Sequence, residues 1–173
     1  HTNTNIKRIL LWVLAFGIQG ATEEIMCRGF LLNSLKNRIS IPLAILISST
    51  AFVFPHLSSL NEADLVYAVV GIVNLYLVSI TFSILVLWRS NIWIACGLHS
   101  AWNFILYVIM GLSLSGSESV SKGVVLFSVK DTSILNGADY GIEASVITTV
   151  VLGMLLFVMV KGWKGRIGKD GIS

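Results

Sequence analysis

Charge is what this sequence has least of. Its 173 residues include 12 Lys and Arg and 9 Asp and Glu, together 12% of the chain, about half the share of a soluble globular domain. Hydrophobic residues make up 55% and the mean hydropathy is +0.83, which excludes a water-soluble domain and implies an all-α bundle of membrane helices. Cysteine is also sparse. Cys27 and Cys96 each lie inside an apolar segment, where a thiol behaves as a small hydrophobe, so no disulfide framework is expected. A signal-peptide pattern, an internal repeat and a soluble domain are all missing. The chain begins at His1, and further membrane helices are expected upstream. The net charge is only +3 and the basic residues sit in short clusters beside apolar runs. That suits the ends of membrane helices and argues against a nucleic-acid partner.

A membrane-crossing helix needs about 20 mainly apolar residues. The segments that qualify or nearly do are Ile9–Leu35, Ile39–Phe54 (short, and closed by Pro55), Leu65–Leu87, Ile92–Leu114 and Ile142–Val160. The expected organisation is one integral membrane domain over 1–173: a core over 9–114, a polar loop over 115–141, a last helix over 142–160 and a basic tail over 161–173. Lys36, Arg38, Arg89 and the tail residues Lys161, Lys164, Arg166 and Lys169 alternate along the chain with the acidic loop of Glu62 and Asp64 and the weakly acidic 115–141 stretch. Basic connections mark the cytoplasmic side, so the C-terminus is expected there. Lys7 and Arg8 oppose this orientation.

The charges that do occur inside the apolar segments are informative, because an ionisable group at bilayer depth is expensive and functional by default. The first segment carries Glu23, Glu24 and Arg28. Glu24 and Arg28, four apart, share a helical face and can pair. Glu23 is turned about 100° away and has no such partner in the motif. Desolvation strengthens an unpaired carboxylate as a base, so Glu23 is the candidate general base and the other two are supporting residues. His56 follows Phe52 by four residues at the end of the second segment, and His99 and Asn103 share a face in the fourth. Imidazole can relay protons, donate to an oxyanion or bind metal, and an Asn amide adds an oxyanion donor. Helix clamping by Glu24 and Arg28, an interfacial His56, and interhelical hydrogen bonding by His99 and Asn103 are the plainer readings of the same residues.

Taken in order, Glu23-Glu24-x-x-x-Arg28, Phe52-x-x-x-His56 and His99-x-x-x-Asn103 resemble the three motifs of the CAAX prenyl endopeptidase type II and bacteriocin-processing (CPBP, ABI) family of intramembrane proteases, over about Ile9 to Leu114. The resemblance implies that Glu23 and His56 activate the attacking water, that His99 and Asn103 stabilise the oxyanion, and that Glu24 and Arg28 hold the motif helix. The stretch 137–145 is similar to bacterial members. That similarity implies a bacterial cell membrane, and a membrane-associated or small peptide substrate rather than a prenylated protein. No cofactor is expected. The alternative is a zinc ion on Glu23, His56 and His99, which equal a His2Glu ligand set. Readings from other classes are an ion-coupled transporter with these groups as a proton relay, and a catalytically silent immunity protein that binds a peptide in the same cavity.

Overall fold

A computed structural model describes residues 6–61, 63–114 and 133–170. Its elements are helices: α1 Ile6–Leu35, α2 Ile41–Leu60, α3 Leu65–Arg89, α4 Ile92–Ile109 and α5 Val146–Asp170. Five of them are long and apolar enough to cross a membrane among the described residues. Short 3₁₀ turns at Ala138–Tyr140 and Ile142–Ala144 lead into α5. Glu62 and residues 115–132 of the expected polar loop lie outside the described residues.

The core is built by α1 packing along α4 and α3 along α5, with α2 wedged against α1 and α3. Leu32, Ala44, Ile45 and Ile84 form an apolar cluster at one end of the bundle, and Phe16, Tyr107 and Val108 form another along α1 and α4. The outward faces of α1 and α5 stay apolar, with Leu10, Leu14, Val151 and Phe157 all exposed. Lipid tails are as apolar as leucine, so these faces incur no penalty in a bilayer.

Three helices differ from the sequence expectation in where they begin or end. The second helix does not stop at Pro55. A 3₁₀ turn at Phe54–His56 absorbs the proline, and the helix resumes to Leu60. Proline removes one amide donor, and a 3₁₀ turn bonds the amide of residue 56 to carbonyl 53 instead of 52. The freed Phe52 carbonyl accepts from the Nδ1 of His56 at 3.0 Å. The last helix begins at Val146 rather than 142, and the helix runs to Asp170, through most of the expected basic tail. The fourth ends at Ile109, five residues before Leu114.

Two stretches have π geometry, Ile25–Leu32 directly after Glu24 and Ile105–Ile109 directly after Phe104. Wider turns of this kind recur at functional sites. Here each begins within two residues of a motif side chain. Between α3 and α4 the reversal takes only Ser90 and Asn91. Ser90 adopts a left-handed conformation (φ 52°) and Asn91 caps α4 by accepting from the amide of Trp93 at 2.9 Å.

Candidate functional site

The polar side chains of α1 and α4 meet because Gly20 lets the two helices touch. A Cβ at position 20 would lie 2.6 Å from Ser100 Oγ and 2.9 Å from the Ser100 amide nitrogen. One turn along, this close approach sets Glu23 and Glu24 against His99.

Glu24 and Arg28 form the buried half of the site. Both side chains are fully shielded, and Arg28 Nη1 donates to Glu24 Oε1 at 2.8 Å. The other guanidinium nitrogen, Nη2, donates to the Ser79 carbonyl (3.0 Å) and hydroxyl (2.6 Å) on α3. The cation also lies 4.5 Å from the centre of the Phe52 ring. A charge pair out of water is tolerable only with good geometry and added contacts: Ser79 supplies two hydrogen bonds and the Phe52 ring a cation–π contact, while Glu24 Oε2 and Arg28 Nε are buried with no hydrogen-bond partner among the described residues. The sequence expectation that Glu24 and Arg28 pair is met by this geometry.

His99 stands between the two carboxylates. Its Nδ1 lies 2.9 Å from Glu24 Oε1 and its Nε2 lies 3.8 Å from Glu23 Oε2. Since a carboxylate only accepts, Nδ1 carries the hydrogen and Nε2 is the ring atom that faces Glu23. Glu23 has a partner that sequence reasoning missed. Gln19 Nε2 donates to Glu23 Oε1 at 2.9 Å, and Asn103 Nδ2 donates to Gln19 Oε1 at 3.0 Å. Glu23 Oε2 is buried and has no hydrogen-bond partner among the described residues.

His56 is separate. Its Nδ1 donates to Phe52 O, and its ring packs on Phe52 at 5.2 Å between centroids, while His99 packs on the same phenyl ring at 5.8 Å. Phe52 therefore lies against both imidazoles, and no polar contact joins His56 to Glu23 or His99 among the described residues. The alternative zinc ligands Glu23, His56 and His99 are not gathered into one set: among the described residues no group of three His, Cys, Asp or Glu is arranged so as to hold an ion.

A comparison with family models matches residues 5–105, more than half of the chain, to the type II CAAX prenyl endopeptidase Rce1-like family. The chain belongs to this family. No curated protein and no solved structure matches it significantly. The Rce1-like match runs from the first helix into the fourth and includes every residue of the three motifs. Membership makes the chain a CAAX-type intramembrane protease in general character, and its five apolar helices make it an integral multi-pass membrane protein.

Sequence reasoning missed Gln19 and Ser79. Gln19 carried a signal, since it precedes Glu23 by four residues and amides are costly at bilayer depth. Ser79 carried none, because a lone serine in an apolar helix usually bonds its own backbone.

Proposed function

We propose that the chain is an intramembrane endopeptidase that hydrolyses a peptide bond of a membrane-associated or small peptide substrate, with Glu23 as general base. Glu23 Oε2 takes a proton from water as the water oxygen bonds to the scissile carbonyl carbon. The resulting oxyanion is met by Asn103 and by His99 Nε2 when that nitrogen carries a proton. Collapse breaks the C–N bond, and the proton held by Glu23 passes to the leaving amine. His56 completes the activation of water from the α2 side. Glu24 and Arg28 hold His99 in one orientation.

The observation that carries this reading is His99 between the two glutamates, one carboxylate fixing Nδ1 and the other facing Nε2 with an unpartnered oxygen. A ring nitrogen held by a carboxylate while its opposite nitrogen faces the reacting groups is the logic of a hydrolytic triad. We propose that this mechanism is independent of metal, a point that chelation decides because the Nδ1 hydrogen bond of His56 leaves its Nε2 open either to water or to an ion.

The test is cleavage of a peptide library, including farnesylated peptides ending in Cys-aliphatic-aliphatic-X and their unprenylated counterparts, by the chain in liposomes. Glu23→Gln keeps the shape and removes the base. It should lower turnover by about 10² or more at unchanged melting temperature in detergent, and the native chain should keep its activity after prolonged chelation. Equal turnover by both forms would overturn the assignment of the base. Activity lost on stripping and restored by Zn²⁺ would overturn the metal-free mechanism. Peptide binding without cleavage by either form would make the chain a binding protein.

A further inference from the structure

Glu23 and Asn103 sit on different helices and have different proposed tasks, yet one side chain touches both. Gln19 donates from Nε2 to Glu23 Oε1 (2.9 Å) and accepts at Oε1 from Asn103 Nδ2 (3.0 Å). The direction of this chain is fixed by chemistry. A carboxylate only accepts, so Gln19 must turn its NH₂ group toward Glu23 and its carbonyl away from it. That carbonyl in turn needs a donor, so Asn103 must turn its NH₂ group toward Gln19.

Two consequences follow for the atoms that face the reaction. Glu23 Oε1 is occupied, leaving Oε2, the oxygen 3.8 Å from His99 Nε2, as the basic atom. Asn103 has spent one of its two N–H groups on Gln19 and keeps the other for an oxyanion. Gln19 itself is exposed on α1, although an amide facing lipid at this depth is disfavoured. Its two hydrogen bonds offset that penalty.

We propose that Gln19 is a positioning residue for hydrolysis: it selects Oε2 of Glu23 as the base and orients the Asn103 amide, coupling water activation on α1 to oxyanion stabilisation on α4. This rests on the hydrolytic reading above. The titratable groups around it are Glu23 on its own helix and His99 on α4, with Glu24 and Arg28 behind them.

The experiment compares Gln19→Leu and Gln19→Glu with the native chain on a peptide cleaved in the library screen, across pH, alongside Glu23→Gln. Gln19→Leu keeps the bulk and removes both hydrogen bonds. It should lower kcat by about tenfold to 10²-fold, the scale of a misplaced reacting group, with KM within about twofold, the pattern of an interaction made in the transition state. In Gln19→Glu the new carboxyl can donate to Glu23 only while protonated. Its kcat relative to the native chain should therefore be highest at acidic pH and fall as pH rises and the two carboxylates repel. A role in packing alone could lower kcat in both variants but would not give this pH dependence.

A second readout needs no turnover. The chain has three histidines, so ¹⁵N imidazole signals are assignable, and Gln19→Leu should move those of His99 while leaving those of His56. Native kcat in Gln19→Leu with Glu23→Gln inactive would overturn the role of Gln19 and leave the hydrolytic reading standing. Activity in Glu23→Gln would overturn both. Equal, pH-independent losses in the two Gln19 variants, with unmoved His99 signals, would reduce Gln19 to a structural residue.

Discussion

Of the adjacent carboxylates, Glu23 is partly open and hydrogen-bonded by an amide, whereas Glu24 is shut away and paired with a cation. Removing charge at the two positions should therefore have different consequences. Arg28→Met would leave Glu24 buried opposite His99 with no cation, and breaking a buried pair from one side costs about 3–5 kcal/mol. The expected outcome is a large fall in the detergent melting temperature. Glu23→Gln, which keeps its Gln19 contact, should melt close to the native chain. Comparable melting of Arg28→Met and the native chain would mean that Glu24 draws its stability from elsewhere. At this scale the sequence was legible where residues lie four apart on one helix: Glu24 with Arg28, and His99 with Asn103 on a shared face. It was silent where a partner comes from another helix and has an ordinary side chain, as Ser79 does, and it left Glu23 without the amide that orients it.

At the scale of elements, the site depends on how closely α1 and α4 approach, and Gly20 sets that distance. Adding one methyl group there would place it 2.9 Å from a backbone nitrogen of Ser100, which no side-chain rotation can relieve. Gly20→Ala should destabilise the bundle by about 1–3 kcal/mol, the usual range for overpacking, and widen the gap between Glu23 and His99. Turnover should fall with it, and Ser100→Gly, which relieves only the contact with Oγ, should restore only part. Native turnover in Gly20→Ala would show that the helices part without moving the reacting groups. The apolar runs were readable as helices because length and hydropathy suffice for that. The course of α2 was not, since Pro55 reads as a stop. The chain passes it by changing to a 3₁₀ turn and handing the freed Phe52 carbonyl to His56, so the feature that misled the reading of the helix also orients a motif histidine.

For the whole molecule, the number of helices and the charge pattern were legible from composition, while the pairing of α1 with α4 and of α3 with α5 was not, because lipid-facing and protein-facing surfaces are equally apolar. The ends can still be sorted. A Cβ at Gly162, near the end of α5, would lie 2.7 Å from the Trp88 ring at the end of α3, so the basic residues Arg89, Lys161 and Lys164 share one face of the bundle. Lys36 and Arg38 follow α1, which ends on the same side as α3 in an alternating bundle. The excess of Lys and Arg in these connections favours the cytoplasm, whereas Lys7 and Arg8 would sit outside. We propose the orientation set by the larger group. In a background with Cys27 and Cys96 replaced by Ala, both being buried, single substitutions Asn61→Cys, Ser90→Cys and Lys164→Cys report the two faces. A membrane-impermeant maleimide should label position 61 on intact cells and positions 90 and 164 only after permeabilisation. The reverse pattern would mean that Lys7 and Arg8 govern insertion, and would put the basic helix ends and the C-terminus on the outer surface.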